Sequence, residues 1–173
     1  MTEKLPTDYQ NFIALSRYAR WREDDQRRET WNETVTRYMD YMDSHLQTNF
    51  SFEMGKSLRN DLQNAIVNLD VMPSMRALMT SGLALDKCNV AGYNCSYIPV
   101  DSPRSFDETM YILMCGTGVG FSVERKNVDK LPVVDEHFEE STTVIQVDDS
   151  RSGWARALRE LIAMLYVGQV PKI

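Results

Sequence analysis

The sequence has few of the residues that build metal cages and disulfide scaffolds. It contains three cysteines, Cys88, Cys95 and Cys115, and two histidines. The cysteines are odd in number and form no CxxC pair, so we expect neither a disulfide framework nor a zinc site. Long apolar runs are also missing, and no charged-then-apolar leader opens the chain. These absences predict a cytoplasmic protein without membrane spans.

An excess of positive charge is missing as well, because the 25 acidic residues outnumber the 19 lysines and arginines. The net charge of −6 and the pI near 5.0 disfavour a nucleic-acid surface, because binding to the phosphate backbone requires a basic face. A small anionic ligand remains compatible with this balance if backbone amides bind it. Of the 173 residues, 43% are hydrophobic, which is enough for a globular domain with a core of its own.

The first part of the chain has the pattern of helices. Thr30 and Glu33 have the spacing of a capping box. An apolar face follows at helical spacing: Trp31, Val35, Tyr38, Met39, Met42 and Leu46. A further helix is predicted over 52–68, with an apolar side made of Leu58, Leu62, Ile66 and Leu69.

From Val71 onward, short apolar runs alternate with helical patterns, which indicates strand-helix-strand units and an α/β fold. We therefore expect a helical N-terminal region over 1–70 and a second region over 71–173, with a shared core because no Gly/Ser linker separates them. The acidic stretch 126–141 is predicted to be an exposed connection.

A last helix is expected near the end of the chain, capped by Asp149 or Ser150 and closed by Gly168. Its inward side is predicted to carry Trp154, Leu158, Leu161, Ile162 and Leu165. Pro171 would prevent its continuation, and we expect nothing after it to complete a sheet. Two or three strands alone would have open edges that favour pairing with another chain.

The densest pattern runs from Gly92 to Glu124. A buried strand over 93–100 carries Cys95, and a helix follows, in which Ser105 and Glu108 have capping-box spacing. That helix leads through three glycines, Gly116, Gly118 and Gly120, into a strand over 119–124. Such a turn leaves backbone bare for a ligand, although a plain tight reversal is the alternative interpretation.

Two familiar glycine motifs do not fit this turn. A Walker loop needs a lysine beside its last glycine and a helix after it, whereas Phe121 follows here. The dinucleotide fingerprint leads from strand into helix, whereas GTGVG leads from helix into strand. The sequence thus predicts neither site.

Four segments, VMPSMRALMTSG, NVAGYNCSYIPVDSP, MCGTGVGFSVE and VDDSRSGW, occur in this order. Together they resemble the N-terminal part of a ribonucleotide reductase large subunit, in particular the adenosylcobalamin-dependent, or class II, ribonucleoside-triphosphate reductases. The resemblance implies the opening strands and helices of a ten-stranded α/β barrel that another polypeptide completes. The thiyl-forming cysteine of the family and a second redox cysteine have no counterpart before Ile173.

The resemblance also implies roles for particular residues. Cys95 matches one of the two thiols that reduce the substrate and become a disulfide; the alternative is a small buried hydrophobic residue. Cys88 and Cys115 have no such match and are predicted to be structural. Asn94, Thr117 and Gly118 match substrate contacts, the latter two through the backbone.

Two further matches are Ser74 and Asp101. Ser74 matches the hydroxyl that holds the substrate's phosphate end, although a helix cap before Met75 is the alternative. Asp101 falls within about one position of the aspartate that binds the sugar of the effector nucleotide, and turn formation before Ser102 is the alternative.

The implied function is reduction of ribonucleotides to deoxyribonucleotides by thiyl-radical chemistry, with adenosylcobalamin bound mainly by the remainder of the enzyme. The implied partners are a complementary C-terminal reductase polypeptide, a ribonucleotide substrate, a dNTP or ATP effector and a thioredoxin-like reductant. Two alternatives stay open. One is a large-subunit fragment that takes its radical from a separate metal-containing subunit, and the other is a non-catalytic nucleotide-binding module.

Overall fold

A computed structural model describes residues 5–173 of the chain. Contacts between residues divide it into two compact units, and the boundary in the chain falls between Tyr93 and Asn94. The predicted domain boundary between 1–70 and 71–173 stays a prediction. Both helices and strands are present, so the mixed α/β composition expected from the sequence is confirmed.

The first unit is helical, as predicted. Its described helices are α1 (Asp8–Ile13), α2 (Trp31–Phe50), α3 (Lys56–Val67), α4 (Met75–Thr80) and α5 (Leu83–Lys87). A π-helical turn (Ala14–Tyr18) extends α1, and a 3₁₀ turn (Asn89–Gly92) follows α5. A short antiparallel hairpin, β1 (Trp21–Arg22) with β2 (Arg27–Arg28), precedes α2.

Helix α2 begins with the predicted capping box. The Thr30 hydroxyl accepts a hydrogen bond from the Glu33 amide at 3.3 Å, and the Glu33 carboxylate accepts one from the Thr30 amide at 2.7 Å. The helix ends before Ser51, which is left-handed with φ 51°. Its predicted apolar face is confirmed, since Trp31, Val35 and Met39 are buried.

The core of this unit is formed around α2. Its buried members are Ala14, Trp31, Val35, Met39, Ile66 and Leu78. Leu78 is fully buried, so a residue beyond position 70 belongs to the core of the preceding helices. Burial of one such side chain contributes about 2 kcal/mol to the free energy of unfolding.

The prediction for α3 is wrong in two respects. The chain leaves α2 in an extended course and α3 begins at Lys56, not at residue 52. Of the predicted apolar side, Leu58 and Leu62 are 48% and 40% exposed, and only Ile66 is buried. The polar side of α3 is attached to α2 instead, because Arg59 pairs with Asp40 and Asp43.

The second unit consists of two strand-helix-strand segments joined by a connection. Its described elements are β3 (Cys95–Pro99), α6 (Arg104–Met114), β4 (Gly118–Ser122), α7 (Arg125–Val128), β5 (Glu139–Val144), α8 (Arg151–Tyr166) and β6 (Gln169–Lys172). Strand β3 pairs with β4 and β5 with β6, both in parallel. The predicted alternation of strands and helices is confirmed.

Several local predictions in this unit are wrong. The Ser105 hydroxyl donates to the Pro99 carbonyl at 2.9 Å, so it does not form a capping box with Glu108. Residues 126–141 are not only a connection, since α7 includes Lys126 and β5 begins at Glu139. Pro171 lies within β6, which pairs with β5, so residues after the last helix do extend a sheet.

The last helix agrees with the sequence at its ends and differs on its surface. The Ser150 hydroxyl accepts from the Gly153 amide at 3.0 Å, and Gly168 follows the helix with φ 72°. Trp154, predicted to point inward, is 48% exposed, whereas Gly153 and Ala155 are buried. A side chain at Gly153 would collide with the Asp148 carbonyl, in the segment that leads into α8.

Candidate functional site

Four of the predicted site residues come together at the start of the β3–β4 pair. Cys95 lies opposite Gly118 in the parallel register, and the Gly118 amide donates to the Asn94 carbonyl at 2.9 Å. Thr117 directly precedes β4. Backbone pairing thus fixes Asn94, Cys95, Thr117 and Gly118 relative to one another.

The cysteine at this position is accessible. Cys95 is exposed, whereas Cys88 and Cys115 are buried. The prediction of a buried strand is therefore wrong, because Ile98 is the buried residue of β3 and the strand has one neighbour in the described part of the chain. The interpretation of Cys95 as a small buried hydrophobic residue fails with it. An exposed thiol on a strand can reach a second sulfur without rearrangement of the core.

The backbone amides of the glycine turn between α6 and β4 are hydrogen-bonded within the protein. Those of Gly116, Thr117 and Gly118 donate to Leu113, Ile112 and Asn94 carbonyls, at 2.9, 3.3 and 2.9 Å. The expectation of bare backbone is therefore wrong for these three N–H groups. A ligand would approach Gly118 at its open Cα side, where an added Cβ would meet only the Asn94 carbonyl oxygen, at 3.5 Å.

Among the three glycines of the turn, only Gly116 has a positive φ, at 85°. It ends α6 in the left-handed conformation that L side chains rarely adopt. Gly118 lies in β4 with ordinary strand geometry. Position 116 thus needs glycine because its backbone has a positive φ. At position 118 the backbone would accept other residues, and the missing side chain instead leaves open space beside Cys95.

Asp101 lies apart from these residues, beyond the opposite end of β3. From Cys95 to its last residue, Pro99, β3 extends for about 13 Å, and Asp101 follows two residues later. Its carboxylate accepts from the Lys130 ammonium at 3.4 Å on the surface. The structure therefore does not bring Asp101 together with Cys95.

Ser74 belongs to the first unit, where it precedes α4 as the N-cap residue. It is exposed, and its side chain makes no capping hydrogen bond. The alternative interpretation of Ser74 as a hydroxyl cap is therefore wrong, although the residue does stand at the helix start.

Sequence reasoning missed a buried ionic network between α2 and the C-terminal end of α4. Arg37 of α2 pairs with Glu29, and the same guanidinium reaches backbone carbonyls near the end of α4. Burial alone would raise the pKa of Glu29, but hydrogen bonds from Arg37, the Arg20 amide and Thr34 outweigh it and lower the pKa. No spacing rule indicates such contacts, because Arg37 and its carbonyl partners are about 40 positions apart.

A second missed pair attaches α6 to α8. Asp107 is 1% exposed, and its Oδ2 accepts from Arg159 Nε and Nη2 at 2.9 and 2.7 Å. These hydrogen bonds raise the pKa of Arg159. Asp107 Oδ1 is buried without a hydrogen-bond partner. The sequence offered one signal, an aspartate on the otherwise apolar pattern of α6.

The described residues contain neither a cluster of metal ligands nor a membrane span. Within residues 5–173, no group of three or more His, Cys, Asp or Glu side chains is arranged to hold a metal ion. No helix in that range is long and apolar enough to cross a membrane.

Comparison with known proteins first defines the class of fold. Superposition on the crystal structure of a B-12 dependent (class II) ribonucleotide reductase gives a TM-score of 0.73 at 22% identity and covers 94% of this chain and 32% of that one. At that identity the likeness concerns the fold alone. The described residues thus have the fold of a segment of such an enzyme.

The sequence comparisons carry the resemblance further. Residues 2–83 match the family model "Ribonucleotide reductase alpha domain". The adenosylcobalamin-dependent ribonucleoside-triphosphate reductase of Lactobacillus leichmannii is 28% identical over 160 residues, covering 77% of this chain and 22% of the relative. That of Lacticaseibacillus paracasei is 36% identical over 149 residues, covering 68% and 19%.

The chain spans about a fifth of the length of the curated relatives it matches. The predicted resemblance to the N-terminal part of a ribonucleotide reductase large subunit, with adenosylcobalamin-dependent enzymes among its relatives, is confirmed.

Proposed function

We propose that this chain is the N-terminal portion of a ribonucleotide reductase that converts ribonucleotides to deoxyribonucleotides by thiyl-radical chemistry. One observation carries the proposal: the single exposed cysteine, Cys95, is the one that matches the reducing thiol of the family, and it lies beside Gly118 at the start of β3. The names of the relatives favour a cobalamin-dependent enzyme over one with a separate metal subunit.

The proposed chemistry removes the 2′-hydroxyl of the ribose. A thiyl radical abstracts the 3′-hydrogen, water leaves from C2′, and two thiols supply the hydrogens and electrons that complete the deoxyribose. The two sulfurs are joined as a disulfide, so one ribonucleotide and two thiols give one deoxyribonucleotide, one water and one disulfide. Cys95 supplies one of these thiols, and its partner belongs to the complementary C-terminal polypeptide.

The substrate contacts are proposed from the resemblance and, around Cys95, from the local geometry of the β3–β4 pair. The exposed Asn94 side chain directly precedes Cys95, and the open side of Gly118 admits the ribose close to the backbone. Since the amides of Thr117 and Gly118 already donate within the protein, their contribution is close approach and not amide binding of phosphate. Ser74 is proposed for the phosphate end of the substrate, and Asp101 for the effector sugar.

Adenosylcobalamin supplies the radical when it is bound. We assign no residue of this chain to it and expect the remainder of the enzyme to hold it. The further partners proposed are a dNTP or ATP effector and a thioredoxin-like reductant. The setting is deoxyribonucleotide synthesis for DNA replication in the cytoplasm.

Complementation tests this function. The purified 173-residue chain should form no deoxyribonucleotide from a ribonucleoside triphosphate. Addition of the polypeptide that supplies the rest of the barrel, with adenosylcobalamin and a dithiol, should give turnover. Robust reduction by the chain alone contradicts the proposal, as does nucleotide binding by a complete mixture that never turns over; the latter result would favour a non-catalytic binding module.

A further inference from the structure

We propose that Arg37, oriented by Glu29, is a positioning residue that fixes helix α4 and thereby places the Ser74 hydroxyl for the substrate. The inference rests on the role proposed above for Ser74. It concerns contacts within the first unit only.

Arg37 uses its full donor capacity in this network. A guanidinium has five N–H donors in a fixed fork, and five hydrogen bonds leave this one. Nε and Nη2 donate to the two Glu29 oxygens at 2.9 and 3.0 Å. The three remaining bonds go to the backbone carbonyls of Leu78, Ser81 and Tyr18 at 3.0, 3.1 and 3.2 Å. A lysine, with three donors and no fork, cannot reproduce the arrangement.

Glu29 holds the guanidinium in this orientation. Its side chain is 9% exposed, and besides the two Arg37 bonds it accepts from the Arg20 amide and the Thr34 hydroxyl, both at 3.1 Å. Four hydrogen bonds to a carboxylate favour its charged form. Arg37 and Glu29 are therefore both charged, and their hydrogen bonds fix the orientation of the guanidinium before any ligand binds.

The target of the network is the C-terminal end of α4. Last-turn carbonyls of a helix lack partners within the helix, and a cation is favourable there. Arg37 binds the carbonyls of Leu78 and Ser81, and Arg20 Nη2 binds that of Met79 at 3.3 Å. The Leu78 side chain is fully buried in the core. Both arginines thus anchor one end of this helix.

The other end of α4 carries Ser74. A helix of six residues is too short to be stable by itself, so its position depends on such anchors. Ser74 precedes Leu78 by four residues, about 6 Å along the axis. Movement of the anchored end would therefore be transmitted to the Ser74 hydroxyl, and displacement by about 1 Å is enough to weaken a positioned contact strongly.

The test compares Arg37→Lys with a matched control in the reconstituted complex, using a ribonucleoside triphosphate as the variable substrate. Arg37→Lys should raise KM about tenfold and change kcat little, because a binding contact is misplaced while the reacting thiols are untouched. Arg59→Lys alters the ion pairs of Arg59 with Asp40 and Asp43, which join α3 to α2 and do not involve α4, and should leave KM unchanged. An equal rise in KM for both variants would overturn the inference.

A double-mutant cycle separates positioning from general stability. Ser74→Ala should raise KM, and adding Arg37→Lys to it should raise KM no further, because the group that Arg37 positions is already gone. Multiplicative effects of the two substitutions would overturn the role of Arg37 while leaving the proposed function intact. No effect of Ser74→Ala in an active complex would instead refute the role of Ser74, and the inference with it.

If Arg37→Lys does not fold, Glu29→Gln takes its place in the same cycle. Hydrogen exchange of the segment 75–81 gives an independent readout in the full chain. Either variant should speed exchange in this segment more than Arg59→Lys does. Unchanged exchange at α4 in a folded Arg37 or Glu29 variant would contradict the proposal.

Discussion

At the residue scale, Glu33 shows how a single carboxylate ties stability to pH. Hydrogen bonds from Arg27 and from the Thr30 amide lower its pKa from 4.5 to about 2. A carboxyl group whose pKa is lower in the folded state stabilises that state when it is ionised. Its contribution is therefore complete above pH 4.5 and is lost as the pH falls toward 2.

Glu33→Gln should accordingly lower the free energy of unfolding by about 1 kcal/mol at pH 7, the upper end of what a solvent-screened surface ion pair contributes. The difference from the unsubstituted chain should shrink as the pH falls from 4.5 toward 2. Urea titrations at a series of pH values measure it. Glu53→Gln, at an exposed position before α3, is the control and should show no such trend. A constant difference down to pH 2 would contradict the assignment.

The glycine turn separates a backbone requirement from a binding requirement. Gly116→Ala should destabilise the chain by about 1 to 2 kcal/mol, because alanine at φ 85° is strained. Gly118→Val should keep the stability within about 0.5 kcal/mol and raise the substrate KM of the reconstituted complex. Gly120→Val, two residues along the same strand and equally open, is its control. Equal KM values for the two valine variants would mean that position 118 does not face substrate.

At the element scale, α6 is attached to α8 by an ion pair whose two partners differ in exposure to solvent. Asp107 is buried, whereas Arg159 is half-exposed. Removal of the arginine leaves a buried carboxylate without its counter-charge, which is costly. Arg159→Gln should therefore lower Tm clearly. Arg156→Gln, which disrupts an exposed pair with Asp148 at 3.7 Å, should leave Tm nearly unchanged. Thermal denaturation measures the Tm of both variants. Equal Tm values would show that the buried pair does not stabilise the packing of α6 against α8.

Elements were predictable where their signals are local. Thr30 and Glu33 form the expected capping box because both partners lie within one turn. Ser105 and Glu108 have the same spacing but fail, since Ser105 finds the Pro99 carbonyl of the preceding strand. The prediction for the inward side of α8 was wrong at Trp154, which is exposed. The buried residues there are Gly153 and Ala155, and an apolar pattern does not mark such small residues as members of the core.

At the scale of the whole molecule, the strand-helix-strand order of β3, α6 and β4 followed from the sequence, whereas the parallel register that places Cys95 opposite Gly118 is a finding of the structure. Their roles came from the resemblance and stay proposals. The Arg37–Glu29 network was beyond sequence reasoning, because its partners are distant in the chain and their meeting depends on the packed core. Local patterns thus predicted the elements of the candidate site, while the contacts that support it required the fold.

The central claim is that Cys95 is one of the two reducing thiols, and a single turnover without external reductant tests it most directly. The reconstituted complex, given adenosylcobalamin and one equivalent of ribonucleotide, should contain a disulfide between Cys95 and a cysteine of the complementary polypeptide, visible as a covalent heterodimer on a non-reducing gel and mapped by mass spectrometry. Cys95→Ser should abolish this band and multiple turnover while nucleotide binding persists, and Cys115→Ser, at a buried position, should retain both. A fully active Cys95→Ser complex, or a disulfide mapped to Cys115, would contradict the account.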